Sequence, residues 1–424
     1  MTNTAVRPQV RPATLVLLIA VLVMHSVDRQ IIGVLAEPIK RDLALSDTQL
    51  GMLTGLFFTL FYVGVGLPLA NFADRTDRPK LLAWSIGAWS ALTGLCGAAT
   101  GFISMGLARA GVAIGESGCN PATQSLIADY YPPERRATVQ GLLAMAMPIA
   151  TLVAMALGGI VAQQWGWRAA FFVIAIPGLL LAPLVWRFLP EPRRTQDAVP
   201  ARALSAGLSE VLRSGPLCWL IAAVSLAAVL AQAVYLWAPA FVMRSFGWSV
   251  AQAGIWVGLG IGVGGVVGAI IAGRLADRLR TGKPGGQLKI LVALYAAIVP
   301  LFVVMLLTDR AEIAVAMLIA VQVVKLSSVP AAYAVLQELA TERTRALAFS
   351  LLMVVGNVVG SGAGSVAIGA LSDMLTPRFG QAALGYALFI CVITQVAAVL
   401  LVLKTYQKLR AAQAPGAEHA VQPR

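Results

Sequence analysis

Twelve apolar stretches, each long enough to cross the core of a bilayer as one helix, follow one another along the 424-residue chain. They fall at 13–37, 48–72, 81–101, 104–128, 137–162, 168–188, 216–241, 250–273, 287–308, 312–337, 346–370 and 382–404. A spanning helix needs about 20 such residues, and little chain is left over for a separate soluble domain. Composition agrees, with 58% of residues hydrophobic and 12% charged, against about 25% charged in soluble domains. So few charges cannot clothe a water-facing surface of this size. A soluble enzyme, a disulfide scaffold and a disordered chain are thereby excluded. The expected fold class is an all-α polytopic membrane protein with 12 transmembrane helices. Asp28 and Arg29 sit inside the first stretch and no small-residue cleavage site follows, so that stretch reads as a span, not a signal peptide.

The net charge of +13 suggests a polyanionic partner until its distribution is read. If the termini and even-numbered connections share one side, that side and its helix ends carry 23 of the 32 Lys and Arg. The other side carries six, and Arg29, Arg109 and Lys325 lie within spans. This bias places both termini in the cytoplasm of an inner (plasma) membrane protein. It reports topology, and no nucleic-acid partner is expected.

Cys96, Cys119, Cys218 and Cys391 are scattered through apolar segments and read as small hydrophobes. His25 and His419 are the two histidines, too few for a histidine metal site. No phosphate-binding glycine loop or nucleophile–base pair is present, which argues against an ATP-driven pump or an enzyme. No cofactor is expected, with protons as the coupling ion.

The longest polar break divides the chain in two. Residues 1–188 are expected to form an N-terminal six-helix bundle and 216–404 a C-terminal one, with a cytoplasmic tail over 405–424. The linker, 189–215, contains Glu191, Arg193 and Arg194, then a stretch from Ala201 to Arg213 in which Leu204, Leu208, Val211 and Leu212 line one face of a surface helix. A turn recurs across the break. The chain reads Ala70-Asn71-Phe72-Ala73-Asp74-Arg75-Thr76-Asp77-Arg78 after the second span and Gly273-Arg274-Leu275-Ala276-Asp277-Arg278 after the eighth, with the aspartates 203 residues apart.

With these turns the sequence resembles the major facilitator superfamily, whose loop signature is G-x-x-x-D-R-x-G-R-K, Ala70 and Asp77 standing in place of the two glycines of the first copy. The resemblance implies two pseudo-symmetric six-helix bundles. It also implies a cytoplasmic gate, with Asp74 facing the start of the eleventh helix and Asp277 that of the fifth. Arg78 would then reach Asp129, and Arg280 would reach Glu338, with Arg75 and Arg278 completing the two loops. The competing reading is a solvated charge cluster that only sets topology.

Ionisable groups inside the spans are the sharpest functional signal, because a charge at the bilayer centre costs roughly 2.5–3.5 kcal/mol on insertion scales. Asp28 and Arg29 lie in the first span, Arg109 and Glu116 in the fourth, and Lys325 in the tenth. Arg109 and Glu116 are seven residues apart and share a helix face. Gly111 and Gly115 between them thin the helix for a close neighbour. Structural pairing that merely fixes helix packing is the bland alternative, and for Lys325 snorkelling toward an interface is another.

Asp28-Arg29 followed by Gly33-Val34-Leu35, with Arg109…Gly115-Glu116-Ser117, resembles the spinster family of lipid transporters, as does the run DRQIIGVLAEPIKRDLALSDTQLGML. That resemblance implies Asp28 as a protonation site, Arg29 and Glu116 as a cavity ion pair, and Arg109 as a partner of substrate or proton site. Asp28 and Glu116 are therefore the proton-coupling candidates, and Arg29, Arg109 and Lys325 the cavity candidates. The expected partners are a small amphipathic anionic substrate of the lysophospholipid or sphingolipid class and the membrane lipid, with the chain acting as a monomer. A proton symporter of small organic or aromatic acids is the alternative within transport, and a membrane receptor or channel the alternative outside it.

Overall fold

The structure is a computed structural model that describes residues 12–73, 76–144, 146–192, 204–280 and 286–412. Those residues are helical almost throughout. The helices are α1 (Pro12–Asp42), α2 (Asp47–Gly51), α3 (Phe57–Ala73), α4 (Arg78–Cys96), α5 (Phe102–Ser117), α6 (Cys119–Tyr130), α7 (Pro133–Ala144) and α8 (Ala146–Phe188). After the linker come α9 (Leu204–Arg213), α10 (Gly215–Phe246), α11 (Val250–Arg280), α12 (Gly286–Leu307), α13 (Ala311–Leu339), α14 (Arg345–Asn357), α15 (Ser365–Phe379), α16 (Ala383–Ala387) and α17 (Phe389–Ala412). Wider-pitched π turns at Met52–Leu56 and Val358–Gly364 join α2 to α3 and α14 to α15 without breaking the rod.

Eight helical runs among the described residues are long and apolar enough to cross a membrane. Two of them, Glu134–Phe188 and Arg345–Arg410, are 55 and 66 residues long, far more than the roughly 20 that one crossing needs. The first turns back at Gly166, whose φ of 85° is open to glycine and strained for other residues. The second does so at Gly380, with φ of 56°. With each run taken as two spans, and with α4 and α5–α6 added, the helices are consistent with the twelve apolar stretches.

Local chemistry sets the helix starts. Ser46 caps α2 reciprocally: its Oγ accepts from the Gln49 amide at 3.1 Å, and Gln49 Oε1 accepts from the Ser46 amide at 2.9 Å. Asp77 caps α4 by accepting from the Lys80 amide at 3.0 Å, with Pro79 in the first turn.

Two compact units emerge from the packing. The first comprises residues 1–198 together with 236–262. Within it α1 lies along α8, where a Cβ on Gly158 would meet Ile31 at 3.2 Å. The N-terminal half of α11 also packs on α8 through Gly258, whose added Cβ would stand 3.1 Å from Met155. Lipid and core are equally apolar here, so small residues and close contact hold the helices together, not water exclusion. The second unit comprises 199–235 and 263–424. Val211, Leu217, Leu291, Tyr295, Leu336 and Ala348 form its buried cluster. Of the expected apolar face of α9, Val211 is turned inward while Leu208 and Leu212 are exposed.

Candidate functional site

The first unit contains a buried polar cluster built from α1, α3, α4 and α5. Asp28 and Glu116 are fully buried, Arg109 is 2% exposed and His25 is 5% exposed. The close approach expected at the glycines of α5 is present. A Cβ on Gly111 would meet Leu92 at 3.0 Å, and one on Gly115 would meet the Trp89 backbone nitrogen at 3.1 Å. That contact draws α4 onto α5 and turns the polar atoms of Trp89 and Thr93 toward Asp28.

Phe58 sits at the centre of the cations. The Arg29 guanidinium lies 4.8 Å from the Phe58 ring centroid and that of Arg109 lies 5.1 Å from it. Arg29 also stands 5.1 Å from the Tyr62 ring, which stacks on Phe58 at 5.7 Å. Asn120 fixes Tyr62 by donating to its hydroxyl at 3.2 Å. One ring thus holds two like charges by its negative face, an attraction of about 0.5–2 kcal/mol per cation.

The expected contact between Arg29 and Glu116 is not the one this structure makes. His25 takes that place, with Nε2 3.5 Å from Glu116 Oε2. Arg29 instead lies over the two aromatic rings of Phe58 and Tyr62. Among the described residues, neither oxygen of Asp28 or Glu116 has a hydrogen-bond partner, nor have Nε and Nη1 of Arg109. Buried charges of this kind are costly unless neutralised by a proton or a counter-ion.

At one end of the first unit, Arg78 donates from Nη1 to Asp129 at 2.6 Å and to Ser125 at 2.7 Å. Asp129 is the partner that the superfamily resemblance implied. Glu191 was not foreseen, having been placed in the linker. Arg78 donates to it from the backbone amide at 2.8 Å and from Nε and Nη2 at 2.9 and 2.7 Å. The Tyr130 hydroxyl donates to the Pro190 carbonyl, tying down the same segment. Asp74 and Arg75 lie outside the described residues, as do the side chains of Asp277, Arg278 and Arg280, so the remaining loop contacts, including Arg280 with Glu338, fall outside them too.

The opposite end of this unit carries a second network that sequence reading missed. Arg244, at the end of α10, donates from Nη1 and Nη2 to the two oxygens of Asp47 at 2.7 Å each, and from Nε to Glu37 at 2.8 Å. Lys40 reaches Asp47 at 2.6 Å. Asp47 is fully buried, and the side chains of Glu37 and Arg244 are each 8% exposed. The available signal was the density of charge between the first two spans, Glu37 to Asp47, matched by a lone arginine at the end of the seventh.

In the second unit Lys325 is partly buried, with Nζ 4.6 Å from the Tyr235 ring centroid. One turn earlier on α13, Gln322 is fully buried and, among the described residues, neither of its amide atoms has a partner. Gln232 donates to Ser361 elsewhere in the same unit. No cluster of three or more metal-ligating side chains occurs among the described residues.

Comparison with known proteins bears on this arrangement. The sequence profile of the Major Facilitator Superfamily matches residues 18–357. An MFS-type efflux pump of Mycolicibacterium smegmatis is 34% identical over 371 residues, covering 87% of this chain and 86% of that protein. The cis,cis-muconate transport protein of Acinetobacter baylyi is 32% identical over 178 residues, 42% of each chain. A solved bacterial homologue of the human lysosomal transporter Spinster, inward-facing and unoccupied, matches with a TM-score of 0.84 at 24% identity, covering 96% of this chain and 100% of that one.

Proposed function

The chain belongs to the major facilitator superfamily and is an integral membrane transporter, not an enzyme; from that premise we propose that it moves an anionic amphiphile by proton-coupled alternating access. The observation that carries this reading is the pair of guanidinium groups held around Phe58 beside two buried carboxylates. With Asp28 and Glu116 both ionised, the four groups Asp28, Glu116, Arg29 and Arg109 sum to zero. One proton on Asp28 leaves an excess positive charge, and an anionic headgroup cancels it. Proton and anion therefore favour each other's binding, which is what coupling requires. Lys325 and Tyr235 offer a further cation and ring in the second unit, and apolar helix faces suit an acyl chain of the lysophospholipid or sphingolipid class.

On this reading the two ionic networks are alternating gates in a protein of the inner membrane with both termini cytoplasmic, an orientation supported by the 23 of 32 basic residues on one side. Arg78 with Asp129 and Glu191 holds the cytoplasmic ends together. The Asp74–Arg75 and Asp277–Arg278–Arg280 loops and Glu338 belong to the same gate, and Arg244 with Glu37 and Asp47 holds the outer ends.

A second reading, symport of small organic acids, is favoured by the muconate transport protein among the relatives. Binding separates the two. Lysophosphatidylglycerol should stabilise the purified protein against heat by a few degrees, since ligand at about 100 times its Kd adds about 2.7 kcal/mol. It should do so more strongly at low pH than at high pH, and muconate should not. Stabilisation by muconate alone would transfer the assignment to the organic-acid reading. Phe58→Leu should weaken lysophosphatidylglycerol binding about tenfold by releasing both guanidinium groups, at a cost of about 1–2 kcal/mol. Unchanged affinity in that variant would remove Phe58 from the site.

A further inference from the structure

One end of the second unit gathers exposed basic and apolar side chains to which the transport reading gives no task. The short helix α9 lies there and is fixed to the protein along one edge. Val211 is buried in the apolar cluster with Leu217 and Leu336. The Thr341 hydroxyl donates to Glu210 at 3.0 Å, and the Cys218 thiol donates to the Val211 and Leu212 carbonyls at 3.4 and 3.5 Å. Leu208 and Leu212, one turn apart on the adjoining face, stay uncovered, with Leu212 63% exposed.

Trp219, next to Cys218 in α10, joins this helix to the end of α17. A Cβ on Gly215 would stand 3.8 Å from the Trp219 Nε1, so the indole edge lies against the turn between α9 and α10. The Lys404 ammonium sits over the indole, 3.7 Å from the ring centroid. The ring's negative face holds that cation and leaves its outward N–H groups to donate. Lys408 follows one turn later on α17, about 5–6 Å away at Cβ, and both lysines are exposed. Among the described residues neither lysine is paired with a carboxylate.

We propose that this end of the second unit binds an anionic phospholipid of the surrounding bilayer, with Lys404 and Lys408 on the headgroup phosphate and Leu208 and Leu212 against an acyl chain. Three features select that occupant. Trp219 and the lysines stand at the ends of two spans, the level at which tryptophan meets headgroups. The unpaired positive charge is complementary to a lipid phosphate. The exposed leucines need an apolar cover, which a bilayer lipid supplies and a dissolved phosphate does not. The site uses none of the residues assigned to the transported substrate, and its outcome is independent of theirs.

The test places the purified protein in phosphatidylcholine nanodiscs doped with either phosphatidylglycerol or phosphatidylcholine brominated near the top of the acyl chains. Bromine quenches a tryptophan that it touches, and the emission of Trp219 is the difference between the parent and Trp219→Phe. Each basic side chain at an anionic surface contributes about fivefold in affinity. Brominated phosphatidylglycerol should therefore half-quench Trp219 at a mole fraction about 25-fold below that of brominated phosphatidylcholine. Lys404→Gln should cut this preference about fivefold, and adding Lys408→Gln should bring it close to one. Lys404→Arg with Lys408→Arg should keep it, which separates charge from packing, and salt near 0.5 M should shrink it. Equal quenching by the two lipids in the parent overturns the site, as does a preference that survives loss of both lysines or vanishes in the arginine pair. No quenching by either lipid overturns it too, since this face would then lie outside the bilayer. Should the glutamine pair fail to fold, a parent preference unmoved by salt overturns the site in its place.

Discussion

Replacing Asp28 with Asn is expected to leave binding and exchange intact and to abolish accumulation driven by a proton gradient. The side chain is fully buried, and its neighbours Arg109, Thr93 and Trp89 lie on other helices. Asparagine mimics the protonated carboxyl in shape and charge, so the variant is fixed in the state that attracts an anion. Such a protein still cycles when loaded on both sides. It has lost the group through which a proton gradient biases that cycle, because a ligand shifts an equilibrium only by its differential affinity for the two states. One coupled proton at a one-unit gradient is worth about 1.4 kcal/mol, or about tenfold accumulation. Proteoliposomes containing Asp28→Asn should therefore show about onefold accumulation with counterflow preserved. Full gradient-driven uptake would pass the role to Glu116.

Removing Arg244 is expected to shift the resting conformation instead of the chemistry. Asp47 is fully buried and Glu37 nearly so, and the Arg244 guanidinium reaches three of their oxygens. Stripping the guanidinium from such a cluster removes its bidentate donor and leaves Asp47 to Lys40 and Glu37 to Arg41, a loss of up to about 3–5 kcal/mol. Moving a two-state protein from 1:99 to 99:1 takes about 5.5 kcal/mol, so Arg244→Ala is large on that scale. Amide exchange over residues 37–50 and 240–250 should quicken by about two to three orders of magnitude as these helix ends part. Arg244→Lys should fall between, since a point charge replaces a two-pronged donor. Unchanged exchange in Arg244→Ala would show that the network is decorative. The matching Arg78→Ala variant should loosen the opposite ends, because Asp129 and Glu191 both lose their main donor.

The fold was legible because span length and charge bias are averages over many residues, robust to any one of them. The intramembrane charges were legible for the opposite reason, since each is conspicuous against an apolar background. Their partners were not. Arg29 was expected on Glu116, but two aromatic rings hold it, and nothing in the spacing of Phe58 and Tyr62 marks them as different from ordinary core residues. His25 was read as a lone histidine because its contact with Glu116 depends on how α1 and α5 are rotated. The Arg244 network joins residues 197 and 207 positions apart, beyond the reach of local pattern. Glu191 was misjudged because a charged residue beside two prolines looks like linker until the Arg78 guanidinium is seen to close on it.

Simultaneous measurement of proton and lysophosphatidylglycerol flux in proteoliposomes tests proton-coupled alternating access most directly. Proton entry should accompany lysophosphatidylglycerol entry in fixed ratio, with a proton gradient driving the lipid to about tenfold accumulation per pH unit for each proton carried. Lipid entry without proton movement, or binding with no entry of either, would contradict it, the first pointing to a channel and the second to a receptor.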